Sequence, residues 1–331
     1  MKKVLVLVLS LLLLTACGQK SAGEANSENQ ANVKTEEKET KDTNKKLSIE
    51  KLNVTYVTSP LNVPSIVEKQ NKFFEENLGL PVNYAEITSG ADQTQALASG
   101  DVDILYALGG SSAVSAYAGG ADIKIINMYS RAPKAFCLYS KDDSIKSPQD
   151  LKGKTIAGPM GTNLHELLLA YLNTKNMTLK DVNFVNMAIP DALAGLENGS
   201  LDVGLLGGPA AYKAQEAGFH KVCDGEGLIE AIICVATSQK FYEEHHDVIE
   251  ALEKAQDQVL SFMKDQPDKT KELVKNELKL DDKAYDTMYP QYNFDTKVSD
   301  KDVEGLQKTA DFMFNSQMIK DKVDVKDMFI K

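Results

Sequence analysis

From about residue 52 onward, short apolar runs alternate with longer segments in which apolar positions recur every three or four residues. The runs 52–57, 81–87, 100–105 and 123–129 read as strands, and the stretches between them read as helices. After Ser140 the alternation restarts. Thr155-Ile156-Ala157-Gly158 is a short buried strand, Pro159-Met160-Gly161 a tight turn, and Thr162 or Asn163 an N-cap for an amphipathic helix through Leu172. Strands follow at 182–187, 201–206, 219–223 and 231–237, with helices at 188–198 and from Gly207 to Gly218. From Phe241 the pattern is mainly helical, at 248–264, 268–278 and 300–317. Short strands alternating with amphipathic helices predict mostly parallel sheets covered on both faces.

One unit occurs twice. Residues 96–104 followed by 109–113 match residues 195–203 followed by 207–211, with one residue of offset. Each copy is a helix end, a Gly turn, a strand bearing an Asp, a Gly-Gly pair and a new helix start. Two copies predict two lobes of similar build. Ligands of open α/β sheets sit beyond the carboxyl ends of the strands, so both lobes are expected to offer helix N-termini to one cleft.

The N-terminus carries a different signal. Met1-Lys2-Lys3, an apolar run from Val4 to Leu14 and then Thr15-Ala16-Cys17 form an export signal too short to remain a membrane-spanning helix. Leu14-Thr15-Ala16-Cys17 resembles the lipobox of bacterial lipoproteins, which implies cleavage after residue 16 and lipidation of Cys17. Residues 17–46 then form the lipid anchor and a polar, flexible tether. The net charge of −11 argues against nucleic acid and against membrane attachment through a basic face. Cys137, Cys223 and Cys234 remain; being odd in number they leave at least one thiol, the alternatives being buried thiols throughout or a Cys137–Cys234 or Cys223–Cys234 bridge.

With these features in hand, the chain resembles the substrate-binding lipoproteins of ABC importers, nearest the sulfonate, taurine and nitrate branch. The resemblance rests on the lipoprotein signal, the two lobes, the Ser147-Pro148-Gln149-Asp150-Leu151-Lys152-Gly153-Lys154-Thr155-Ile156-Ala157 stretch, Gly158-Pro159-Met160-Gly161-Thr162-Asn163 and Ala98-Ser99-Gly100-Asp101-Val102-Asp103. It implies a type II periplasmic-binding-protein fold: two mixed-sheet α/β lobes, residues 47–137 with 236–331 and residues 138–235, joined by two crossover strands near 136–140 and 232–237. It implies a monomer, exported and anchored to the outer face of the cell membrane. Such a protein takes up a small organic anion, alkanesulfonate-, taurine- or nitrate-like, by hinge closure and delivers it to a permease whose ATPase is a separate subunit. No cofactor or metal is expected. The alternatives are a binding protein for a thiamine-type pyrimidine and, in another class, an exported dehydratase or pyrimidine-forming enzyme on the same fold.

The loops after strands supply the candidate ligand contacts: Ser59 and Asn62; Thr88, Ser89 and Gly90; Gly110, Ser111 and Ser112; Met160, Gly161, Thr162 and Asn163; Gly207 and Gly208. Tyr129 is expected either to pack an organic tail or to lie in the core. Arg131 is the sole arginine of the chain. Its planar fork matches a sulfonate or carboxylate with two parallel hydrogen bonds, or else it forms a salt bridge within the protein. An enzyme needs a base and a nucleophile. His165-Glu166 fails the His-Glu-x-x-His pattern because residue 169 is Leu, and no Gly-x-Ser-x-Gly elbow occurs. His165 is expected to cap or pack, and His245-His246 to open an exposed helix.

Overall fold

The structure is a computed structural model and describes residues 47–330. The predicted export signal, Cys17 and most of the tether lie outside the described residues. The chain forms β1 (Leu52–Thr55), α1 (Val63–Asn71), α2 (Phe73–Leu78), β2 (Val82–Ala85), α3 (Gly90–Ser99), β3 (Leu105–Gly109), α4 (Gly110–Ala118) and β4 (Lys124–Arg131). It continues with β5 (Phe136–Ser140), β6 (Thr155–Gly158), α5 (Asn163–Asn173), β7 (Asn183–Asn186), α6 (Ile189–Asn198), β8 (Val203–Gly207), α7 (Gly208–Glu216) and β9 (His220–Asp224). It ends with β10 (Ile232–Thr237), α8 (Gln239–Glu244), α9 (His246–Asp265), α10 (Pro267–Leu278), α11 (Asp282–Met288) and α12 (Asp300–Asn315).

One sheet has five strands in the order β7-β6-β8-β5-β9. β6 runs parallel to β7 and β8, whereas β5 is antiparallel to both of its neighbours. The other strands form a parallel pair β1-β2 and a sheet β3-β10-β4 in which β10 is antiparallel to both neighbours. A parallel bridge between Val54 and Ile104, with Thr55 N–H donating to Ile104 O at 3.0 Å, joins the two. The resulting series β2-β1-β3-β10-β4 repeats β7-β6-β8-β5-β9 strand for strand. The sheets are therefore mixed rather than mostly parallel: three parallel strands, then an antiparallel one, then an edge strand.

That antiparallel strand is exchanged between the halves. β5 follows β4 in the chain yet lies in the β6–β9 sheet, and β10 follows β9 yet lies between β3 and β4. The predicted crossover segments 136–140 and 232–237 thus each lie wholly within one sheet. The chain passes between sheets at 132–135 and at 225–231.

The sequence echo has a geometric counterpart. Gly100 and Gly199 stop α3 and α6 with nearly identical left-handed angles, φ 80° and ψ 14° against φ 80° and ψ 13°. The Asp of each copy then anchors the first strand of its sheet. Asp103 Oδ2 accepts from Asn53 N–H at 2.7 Å, and Asp202 Oδ2 from Thr155 N–H at 2.7 Å. Holding Asp103 in that turn delays the third strand, which runs 105–109 rather than 100–105. The helix predicted to reach Asn77 breaks at Lys72, a left-handed residue at φ 60°, and the buried Glu68 carboxylate accepts from Phe74 N–H at 3.1 Å beyond the break.

Apolar side chains cover both faces of each sheet. The largest core runs from Leu52, Val54, Ile66 and Phe74 to Ile156, Leu167, Leu168 and Leu205. Leu105, Leu108, Ile125, Cys234, Leu306 and Met313 form a second core, and Cys137, Ala157, Leu196 and Leu206 a third. The helix α9 packs the stripe Val248, Leu252, Ala255, Val259 and Met263, spaced three or four residues apart, on the first core.

Because each Asp accepts a backbone N–H that has no other strand partner, Asp103→Ala and Asp202→Ala are each expected to lower stability by about 1.5–3 kcal/mol. The two sites lie in different sheets, so the losses should add in the double variant. Denaturant unfolding of the three variants measures both statements.

Candidate functional site

The parallel strands of both sheets end toward one another. In the first half the loop after β1 is 58–62, and β3 passes directly into α4. In the second half the loop after β6 is 159–162, and β8 passes directly into α7. The contacts between the halves are reciprocal: each half's loop after its first strand meets the helix start after the other half's third strand. Ser111 Oγ donates to Asn163 Oδ1 at 2.8 Å, and Ser112 Oγ to Gly161 O at 3.0 Å. Asn163 Nδ2 donates to Ile232 O at 3.2 Å, at the start of β10. On the other side Gly208, at φ 54°, lies against Pro60, and a Cβ there would fall 1.7 Å from the Pro60 carbonyl oxygen. A cis peptide joins Ser59 to Pro60.

Two further hydrogen bonds cross the halves: Thr309 Oγ1 of α12 donates to Glu166 Oε1 of α5 at 2.8 Å, and Lys283 Nζ of α11 donates to Glu216 Oε2 of α7 at 2.7 Å. The starts of α4, α5 and α7 carry no side-chain cap, a feature shared with α1, α2, α6, α9 and α10, whereas Ser89, Ser238, Asp281 and Ser299 cap α3, α8, α11 and α12. What sets α4, α5 and α7 apart is position: their first N–H groups and the positive ends of their dipoles lie at the seam.

Most predicted site residues come together here. Ser111, Ser112, Gly161 and Asn163 make the contacts above, Gly110 opens α4, and Gly90 abuts Ser112. Gly207 and Gly208 meet Pro60. Asn62 and Thr162 shape their own loops: Asn62 Nδ2 donates to Ser59 O at 3.2 Å and Thr162 Oγ1 to Pro159 O at 2.8 Å. Ser89 caps α3, while Thr88 and Met160 are exposed.

Two predicted contacts lie elsewhere. Tyr129 is in the core, with its hydroxyl hydrogen-bonded to Ser65 N and Oγ at 3.1 and 2.9 Å and its ring against Tyr106 and Phe294. Arg131 is the protein's own salt bridge, not a free fork. Its Nε and Nη2 donate to the two oxygens of Asp302 at 2.6 and 2.7 Å, Nη2 donates also to Lys297 O at 2.8 Å, and Nη1 to Asp295 O. Burial would raise the Asp302 carboxyl, but hydrogen bonds from Arg131 and Ser299 outweigh it and hold the group below the usual carboxylate range. The guanidinium ties the end of β4, beside the 132–135 link, to the start of α12.

Among the histidines and cysteines of the described residues, His165 is buried, its Nδ1 accepts from Gly161 N–H at 3.2 Å, its ring stacks on Phe184, and burial lowers it to about 4. The helix opened by His245-His246 adds a Ser48–His245–Asp247 cluster, but Ser48 Oγ donates directly to Asp247 Oδ1 at 2.7 Å, so the imidazole does not stand between hydroxyl and carboxylate as a triad requires. Cys137, Cys223 and Cys234 are all thiols, and burial pushes Cys137 and Cys234 up to about 12. Among the described residues no group of His, Cys, Asp and Glu could hold a metal ion. Sequence reasoning missed Pro60 and Glu166. The first pairs with residues remote in the chain; the second stands on the side of α5 opposite most of its leucines, facing α12, where the apolar stripe gives no sign of burial.

Burial raises the Glu166 carboxyl to about 7, with the Thr309 hydroxyl drawing it back and the Glu230 charge adding to the rise. The folded protein therefore holds a proton that the unfolded chain releases, and Glu166's favourable contribution is present below about pH 4.5 and lost as pH rises toward 7. Glu166→Gln is expected to flatten stability between pH 5 and 7.5, gaining on the order of 1–3 kcal/mol over the wild type at the upper end; urea unfolding across that range measures it. Gly208→Ala, with its Cβ inside Pro60 O and a left-handed φ, should cost at least about 1 kcal/mol and wedge the halves apart, read as a larger radius of gyration in solution scattering.

Comparison with known proteins places the chain. The family described as NMT1/THI5 like matches residues 60–270. The chain is 26% identical over 334 residues to a Bacillus subtilis protein named "Putative aliphatic sulfonates-binding protein", covering 99% of this chain and 94% of that one. It is 28% identical over 208 residues to the taurine-binding periplasmic protein of Escherichia coli, covering 62% and 64%. The structure is similar to that of the alkanesulfonate-binding protein SsuA from Xanthomonas axonopodis pv. citri bound to MOPS, with a TM-score of 0.78 at 19% identity over 85% of this chain and 98% of that one. The fold is the periplasmic-binding-protein fold. With the match spanning more than half of its length, the chain belongs to the NMT1/THI5-like family.

Proposed function

We propose that this protein is the exported solute-binding component of an ABC importer. It captures a small organic anion of the sulfonate or taurine type in the seam between its halves and delivers it to a permease driven by a separate ATPase subunit. The observation that carries this reading is the reciprocal seam itself, in which uncapped helix starts and small hydroxyl and amide groups from both halves face one space. The names of its relatives support the choice of anion. A cavity of about 40 Å³ beside the start of α7 is lined by Lys134, Tyr139, Gly208, Tyr212, Lys221 and Tyr292. That volume suits a water or two, so admitting an organic anion requires the halves to part.

The halves open and close about the 132–135 and 225–231 links. They correspond to residues 47–131 with 232–331 and to residues 136–224, monomeric and tethered through lipidated Cys17 to the outer face of the membrane. A ligand touching both halves favours the closed form by its differential affinity for it. Retention and transfer, not turnover, suit a site whose one histidine is buried and held by the backbone.

Thermal shift and calorimetry with taurine, C1–C4 alkanesulfonates, nitrate and thiamine-pathway pyrimidines test the reading, since a ligand that binds only the folded state raises the melting temperature. Sulfonates are expected to give the shift. Arg131→Lys should keep that binding within about threefold and lose about 1–3 kcal/mol of stability, because the fork serves Asp302. A shift with pyrimidines alone would discard the anion.

A further inference from the structure

The buried face of α3 carries one polar side chain. Gly90, Gln93 and Leu97 fall on one side of the helix at i, i+3 and i+7, and all are buried. Gln93 is 2% exposed, and its Oε1 is enclosed without a hydrogen-bond donor. A buried acceptor left unmet costs stability and calls for a partner. Among the described residues Ser130, His165, Thr270 and Tyr292 also hold a buried polar atom without a partner, and Gln93 is the one on α3, whose Gly90 abuts the start of α4.

Its position says what that partner is. Helical side chains lean toward the N-terminus and cover the preceding turn, a direction that takes the Gln93 side chain toward the turn of Ser89 and Gly90. Gly90 is pressed against the first turn of α4, where a Cβ would fall 2.2 Å from Ser112 Oγ. Ser112 in turn reaches Gly161 across the seam at 3.0 Å. The unmet acceptor, the uncapped start of α4 and the contact to the α5 loop thus share one corner.

We infer that Gln93 contacts the ligand and sets specificity, its Oε1 receiving an N–H or O–H that the ligand carries beside its anionic head. The helix starts accept the sulfonate, and Gln93 selects among sulfonates for one bearing a donor. This rests on the sulfonate reading above and deepens it.

Taurine, isethionate and ethanesulfonate share one two-carbon chain and differ only in ending with an ammonium, a hydroxyl or a hydrogen. Calorimetry with the purified protein is expected to show taurine or isethionate binding at least about tenfold tighter than ethanesulfonate, one hydrogen bond's worth. Gln93→Leu and Gln93→Met should erase that preference by weakening only the donor-bearing ligand, with the ligand-free melting temperature not lowered. Two results overturn the inference: variants that keep the preference, and variants that weaken all three ligands equally or melt earlier. A wild-type protein that binds none of the three defeats the sulfonate reading, and this inference with it.

Discussion

Neither half of this molecule completes its own sheet. The strand between β3 and β4 arrives from the chain leaving the second half, and the strand between β8 and β9 arrives from the chain leaving the first. Removing either strand would leave the backbone groups of two neighbours without partners, which buried sheets do not tolerate. The exchange fixes much else. It sets both sheets in the same order, turns the carboxyl ends of their parallel strands toward one space, and limits the joints between them to two short links. The hinge motion proposed above would be rotation about those links.

At the starts of α4 and α5 the seam is joined by hydroxyls, carboxamides and backbone groups, while charge sits elsewhere along it, in the Lys283–Glu216 ion pair and in Lys134 and Lys221 at the cavity beside α7. The single arginine of the chain is spent on Asp302 at the joint. An anion held here would be recognised by helix starts and neutral donors, which tolerate being dry better than a lone lysine or arginine does. The buried carboxyl of Glu166 stands at the deep end, where a proton lets it lie between the halves without an opposing cation.

Much of this was legible in the chain. The strand–helix alternation, the repeated Gly–Asp–Gly-Gly unit and most of the loop residues at the seam follow from spacing and from where ligands bind open sheets. What escaped depended on pairs distant in sequence. Asp302, 171 positions from Arg131, decides whether that arginine is available. Pro60 and Gly208 meet only once both halves are built. The direction of β5 and β10 cannot be read from an apolar run, which looks the same whichever way the strand lies. Gln93 left a signal that went unused: a polar residue where the helical period calls for an apolar one.

The exchanged strands also order the maturation of an exported chain. All five strands of the second sheet lie in one continuous stretch, 136–224, so that half has its full complement as soon as β9 has emerged. The first half begins earlier yet waits for β10. A protein delivered from its N-terminus would therefore finish its middle before its beginning, reversing the usual order in which domains complete themselves. Until residue 237 is across, the gap between β3 and β4 is the exposed edge that a chaperone on the outer side of the membrane would have to shield.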